Sequence, residues 1–175
     1  LVYLANSSGP KVGITTADGA LTRGLEQGAS QGLVVARAAT RHLAGVLDTR
    51  LACLISDRTD WRALLRGVAP AVDLPALGQA LRRRLEELPD GVSWQPEQSV
   101  TTLDYPVLSY PQRLQRLRLD RHPVVAGRLL GVKGQYLLFE HGVFNVRWHR
   151  AFEVRVSMVA DAELAAEPAD DAADD

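Results

Sequence analysis

Two short apolar runs open the chain, and four turn-forming residues stand between them. Val2-Tyr3-Leu4-Ala5 comes first, then Ser7-Ser8-Gly9-Pro10, then Lys11-Val12-Gly13-Ile14-Thr15. Runs of this length around a Gly-Pro turn predict a β-hairpin, with strands over 2–6 and 11–15. Thr22 is placed to cap a short helix reaching about Ala29, and Leu33 to Ala38 reads as a third strand. From Arg41 to Ile55 the pattern is helical, with Leu43, Leu47, Leu51 and Leu54 on one face. Asp48 lies at the edge of that face. The small neighbours Ala44, Gly45 and Ala52 leave room for something to approach its carboxylate.

Thr59 or Asp60 caps a helix over 61–66, and Asp73 caps one reaching about Leu88, with Pro75 in its first turn. Pro89-Asp90-Gly91 stops it, and a Pro-rich stretch follows. From Leu114 the character turns to β. Leu117 and Leu119, then the runs 124–132, 135–139, 143–148 and 152–158, have strand length. In the last run Phe152, Val154, Val156 and Met158 alternate with Glu153, Arg155 and Ser157, which predicts a half-buried strand. The expected architecture is therefore α+β. A small antiparallel sheet flanked by helices (1–66) leads through a helical and Pro-rich connector (67–113) to a β-rich antiparallel module (114–159). An acidic tail, 160–175, closes the chain and is expected to be disordered.

Charge is unevenly distributed. All 20 Lys and Arg lie within residues 1–158, against 14 Asp and Glu, while 161–175 carries seven acids and no base. The body's excess of about six positive charges permits a polyanion partner without demanding one. The single cysteine, Cys53, excludes an internal disulfide framework and any cysteine-based zinc site in these residues. Its apolar setting predicts a buried small hydrophobe. No run approaches the roughly 18 apolar residues of a membrane helix, and no signal peptide is visible, so no membrane partner and a cytoplasmic location are expected. Leu1 begins inside a strand without an initiator Met, so a preceding segment is expected. The four histidines show no metal-ligand spacing.

Tyr3, Lys11, Arg23 and Asp48 fall in this order on strand, strand, helix and helix. Together with the hairpin–helix–strand–helix succession, they resemble the GIY-YIG nuclease fold over residues 1–56. Tyr3 matches the first half of the family motif. Lys11-Val12-Gly13 occupies the second half, where Tyr is commoner. Arg23 matches the arginine opening the first helix, and Ala44 with Asp48 matches an Ala and a Glu at the same spacing. A longer resemblance links the chain to a prokaryotic family catalogued as domain of unknown function 2797. It rests on Val2-Tyr3-Leu4-Ala5, Lys11-Val12-Gly13-Ile14-Thr15, Gln27-Gly28-Ala29, Ala44-Gly45, Thr59-Asp60-Trp61-Arg62 and Gly131-Val132-Lys133-Gly134-Gln135-Tyr136-Leu137. Relatives of that family usually carry a cysteine-rich, zinc-binding-type segment, which would lie upstream of Leu1.

The nuclease resemblance implies one Mg²⁺ held mainly by Asp48. It also implies an Arg23 that stabilises charge on the phosphoryl oxygens, and a Tyr3 and Lys11 that orient or deprotonate water. Lys11 can act as a base only with a lowered pKa and otherwise binds phosphate. Taken singly, these residue types are ordinary: a strand tyrosine is usually core, and Lys, Arg and Asp on such elements are usually solvated. Asp48 is one methylene shorter than Glu, which retracts the carboxylate by about 1.5 Å. Either a bridging water restores coordination or the site is inactive. In the C-terminal half, bases interleave with rings, and Lys133, Tyr136 and Arg147 are the candidate nucleic-acid contacts. The ordinary alternative is a β-core with rings inside and arginines outside. The functional expectation is nucleic-acid interaction with Mg²⁺-dependent phosphodiester cleavage. Its alternative is a catalytically inactive nucleic-acid-binding or protein-interaction module.

Overall fold

The computed structural model describes residues 1–17, 19–95 and 99–158. The chain is α+β. The opening hairpin forms as its sequence predicts, with β1 (Val2–Asn6) antiparallel to β2 (Pro10–Ile14). β3 (Gln31–Ala38) pairs with the other side of β1, so β1 is central and β2 is an edge. Residues directly opposite in antiparallel strands share a face. Tyr3 lies opposite Gly13 and Val34, and Ala5 opposite Lys11. Tyr3, Ala5, Lys11 and Gly13 therefore look one way, and Val2, Leu4 and Val12 the other.

The Val2–Leu4–Val12 face is the main core. Helices α2 (Arg41–Ala52) and α4 (Leu74–Arg84) cover it, inserting Leu47 and Leu51 from one and Leu74 and Leu81 from the other. Each helix begins at a side-chain cap. Thr40 Oγ1 accepts from Leu43 N–H, and Asp73 Oδ1 accepts from Ala76 N–H. The opposite face of the sheet is lined by Tyr3, Ala5, Ala29 and Val34, beside α1 (Ala20–Glu26). The segment read as a connector is divided between two units: Val107 and Tyr110 pack on the core of a second sheet, and the part before them joins the first sheet. That part supplies α4 together with β4 (Val92–Trp94) and β5 (Thr101–Thr102), both paired with β3.

The second sheet has the order β6-β9-β8-β7. β7 (Leu129–Lys133), β8 (Tyr136–Phe139) and β9 (Gly142–Asn145) form an antiparallel meander, and β6 (Arg116–Leu117) adds to β9 in parallel. Its core joins Tyr136, Leu138 and Val143 to Leu64 and Leu65. Thus α3 (Trp61–Leu64), whose N–H groups are capped by Asp60, packs on the second sheet although it follows the first in sequence.

Several local expectations are corrected. Thr22 lies inside α1, and Gly19 holds the cap position with no side-chain cap bond. Cys53 is exposed at the end of α2, one residue beyond the core-facing register. Val146–His149 is a 3₁₀ turn, because Asn145 Oδ1 captures the Trp148 N–H and ends β9. Residues 152–158 form no strand: β9 is flanked by β6 and β8, and no strand pairs with this run. Val156 and Met158 are 85% and 98% exposed. The acidic tail lies outside the described residues.

Candidate functional site

The two sheets meet through a few specific contacts, and these contacts build a cavity. Lys133, on β7, is 1% exposed. Its ammonium donates to Leu64 O (2.9 Å), Gly67 O (2.8 Å) and Tyr110 Oη (3.2 Å), satisfying carbonyls left free after α3. Lys133 was expected to face nucleic acid; it is instead an internal tie between the modules. Burial holds its pKa below the usual lysine value. Gly134 follows with φ +57°. A Cβ there would sit 2.7 Å from Gly28 N, so the turn closes directly on the backbone after α1. Tyr105 fixes the same backbone, its hydroxyl donating to Ala29 O at 3.0 Å.

The cavity thus enclosed has a volume of about 200 Å³. Lys11, Arg23, Glu26 and Gln27 line it from the first unit, and Gln135, Tyr136 and Arg147 from the second. Thr59, Trp61 and Leu64 complete the lining. Its charged groups are three cations and one carboxylate, and that carboxylate, Glu26, already faces Arg23 at 3.4 Å. Lys11 is 6% exposed, yet no hydrogen bond or ion pair holds its ammonium among the described residues. Burial, helped by the nearby Arg23 charge and opposed by Asp57, lowers its pKa to about 8. Thr59 Oγ1 is buried and has no hydrogen-bond partner among the described residues. Isolated buried polar groups are costly, so this cavity is chemically prepared for an anionic, hydrogen-bonding occupant.

Tyr3 stands immediately behind the lining. Its hydroxyl donates to Gln27 Oε1 at 3.2 Å, and its ring lies so close to Gly13 that a Cβ there would be 2.7 Å from the phenolic oxygen. The glycine of Lys11-Val12-Gly13 is therefore a seat for the Tyr3 ring. Burial raises the Tyr3 pKa against the pull of Gln27 and Arg23, and the Asp48 carboxylate adds to the rise. Asp48 belongs to α2, on the other side of the sheet, and does not line the cavity. Its Oδ1 is buried and has no hydrogen-bond partner. Burial and then the charge of Asp57 raise its pKa. Among the described residues no group of three or more His, Cys, Asp or Glu gathers, so Asp48 and Asp57 form a pair only.

Of the seven candidate residues, Lys11, Arg23, Tyr136 and Arg147 meet in the cavity. Tyr3 and Asp48 flank it, and Lys133 supports it from inside. Sequence reasoning missed Gln27, Thr59, Trp61 and Gln135 as lining residues and Asp57 as a neighbour. The first four were readable in principle, since each lies inside one of the motif blocks. Rings and guanidinium groups continue the wall outward. Trp61 stacks near Tyr136, with centroids 6.5 Å apart, and the Arg116 guanidinium lies 4.7 Å from Trp61 and 5.1 Å from Trp148.

No curated protein and no solved structure matches the chain. A family described as "Protein of unknown function (DUF2797)" matches residues 1–154. Four of the sequence blocks named above supply Lys11, Gln27, Thr59 with Trp61, and Gln135 with Tyr136, all to one cavity. The match spans most of the chain, and the protein belongs to the DUF2797 family.

Proposed function

We propose that the chain binds nucleic acid, with a backbone phosphate held in the cavity by Lys11, Arg23 and Arg147. The observation that carries this reading is Lys11, a buried residue of the cavity lining whose ammonium has no hydrogen-bond or ion-pair partner among the described residues. A phosphate would satisfy it together with Thr59 Oγ1, in charge-assisted hydrogen bonds.

The resemblance to GIY-YIG nucleases extends the proposal to phosphodiester cleavage. The orphaned Oδ1 of Asp48 suits a Mg²⁺ ion, which commonly takes one or two carboxylates and keeps several waters. Asp48 would hold the metal, with Asp57 as the neighbouring carboxylate. When bound, Mg²⁺ supplies positive charge to a phosphate oxygen and to the leaving group. Arg23 binds the other phosphoryl oxygens. Tyr3, positioned by Gln27 and Gly13, orients a water. Lys11, with its pKa near 8, is neutral in about a tenth of molecules at pH 7; in that form it can accept the water's proton instead of holding phosphate, which Arg23 and Arg147 then hold. A second reading is a catalytically inactive binding module. It is favoured by the position of Asp48 outside the cavity lining and by its shortness relative to Glu.

Cleavage of branched, duplex and single-stranded DNA and RNA with Mg²⁺ and Mn²⁺, beside Asp48→Ala and Asp48→Glu, separates the two. The nuclease reading expects activity that Asp48→Ala abolishes. Activity appearing only in Asp48→Glu assigns the natural chain to binding. Cleavage indifferent to Asp48→Ala removes the proposed site.

A further inference from the structure

The cavity has a second character besides its positive charge. Its lining combines the cations Lys11, Arg23 and Arg147 with the rings of Trp61 and Tyr136 and the amide of Gln135. The Gln135 side chain makes no hydrogen bond to any described residue, so both its donors and its acceptor are open. Gln27 accepts from Tyr3 with its oxygen, and its amide nitrogen has no hydrogen-bond partner among the described residues. A phosphate needs donors only. The Trp61 ring already carries the Arg62 and Arg116 guanidinium groups at 4.6 and 4.7 Å, and Tyr136 is buried, so the rings offer the cavity apolar edges rather than open faces. An amide that both donates and accepts, beside such edges, matches a nucleobase, whose polar edge alternates donors and acceptors. A volume of about 200 Å³ is of the size of one nucleotide fragment, and a paired helix is far too wide to enter it.

From this juxtaposition we propose that the cavity takes a single unpaired nucleotide. Its phosphate lies toward Lys11 and Arg23, its base lies along Trp61 and Tyr136, and Gln135 reads the base edge. The substrate class is then single-stranded or locally unpaired nucleic acid, and Gln135 and Trp61 are specificity-determining residues. This rests on the phosphate-binding reading above, and the test is built so that the two can fail separately. Recognition of an unpaired base requires either a free strand or a nucleotide extruded from the stack.

The measurement is the affinity of the full chain for four fluorescent probes at fixed salt. They are a single-stranded oligonucleotide, the same oligomer made abasic, its duplex, and a labelled ribose 5-phosphate. The wild type is expected to bind the single strand at least tenfold more tightly than the abasic oligomer and the duplex. Trp61→Ala should erase that preference. Because Trp61 also packs beside the second core, Gln135→Ala provides a fold-neutral variant, expected to reduce the preference at least threefold. Lys11→Met should weaken the abasic oligomer and the single strand alike. If the abasic oligomer or the duplex binds as tightly as the single strand, and Lys11→Met still weakens both, phosphate binding stands and the nucleotide proposal falls. If neither Trp61→Ala nor Gln135→Ala changes the preference, it falls as well. If no probe binds, both fall.

Discussion

Lys11 concentrates the chemistry at the scale of the residue. Its folded pKa of about 8 lies below the ordinary lysine value, so the folded state binds its proton less tightly than the unfolded chain does. The sign follows from linkage: stability should rise as pH increases from about 8 towards 10.5, the interval in which only the unfolded chain holds the proton. Replacing the ammonium with an apolar side chain of similar length removes the penalty. Lys11→Met should therefore stabilise the fold at pH 7 by about 1–3 kcal/mol, read by urea denaturation, while anion binding is lost. Loss of stability in Lys11→Met would show that the ammonium has a stabilising partner. Gly13 offers an independent check on the neighbouring tyrosine. A Cβ 2.7 Å from the Tyr3 oxygen must displace that ring, so Gly13→Ala should cost about 1–3 kcal/mol. It should also break the Tyr3–Gln27 hydrogen bond, visible as a shifted Tyr3 hydroxyl or ring resonance by NMR. The asymmetry between these residues was legible in part. The order of Tyr3, Lys11 and Arg23 is present in the sequence, but the cavity that Lys11 lines is completed by Trp61 and Arg147 from far along the chain.

Among the elements, local signals read well where they were self-contained. The opening hairpin needs only its turn, and α2 and α4 need only their caps and apolar stripes, so each forms close to where its pattern places it. Elements whose identity depends on a partner were misread. The alternation over 152–158 is real in the sequence, yet a half-buried strand requires a neighbour, and β6 occupies the free edge of β9 instead. Lys133 is the same lesson for a side chain. A lysine beside a hairpin glycine reads as solvated until the carbonyls of Leu64 and Gly67 are known to lie within reach. Its tie is testable: Lys133→Ala leaves those carbonyls without their donor and should destabilise by about 2–4 kcal/mol. The loss should be accompanied by faster hydrogen exchange through α3 and β8, while α2 and β1 are less affected. Uniform exchange across the chain would contradict the assignment of Lys133 to the junction.

Across the whole molecule, the cavity exists only because two sheets are docked. Lys11, Arg23 and Gln27 come from one, Gln135, Tyr136 and Arg147 from the other, and α3 with the Lys133 tie fixes their separation. Boundaries drawn from composition divided the chain at residue 66 and treated 67–113 as a link. The contacts instead return α4, β4 and β5 to the first sheet and give α3 to the second. Charge acts at this scale too. The seven acids of 161–175 oppose a body with about six excess positive charges. A chain ending at Met158 should bind single-stranded oligonucleotide two- to fivefold more tightly at low salt, with the difference vanishing near 0.5 M, where screening reaches only a few ångströms. An unchanged affinity at low salt would remove the tail from the account.

The most direct test of the central claim is the affinity of a labelled single-stranded oligonucleotide for the wild type and for Lys11→Met at pH 7 and pH 9, at one salt concentration. If the cavity is the binding site, Lys11→Met weakens binding at least tenfold at pH 7. The wild type then loses most of its advantage by pH 9, as Lys11 gives up its proton near pH 8. Equal affinity of the two proteins at pH 7, or a wild-type affinity unchanged between the two pH values, would contradict it.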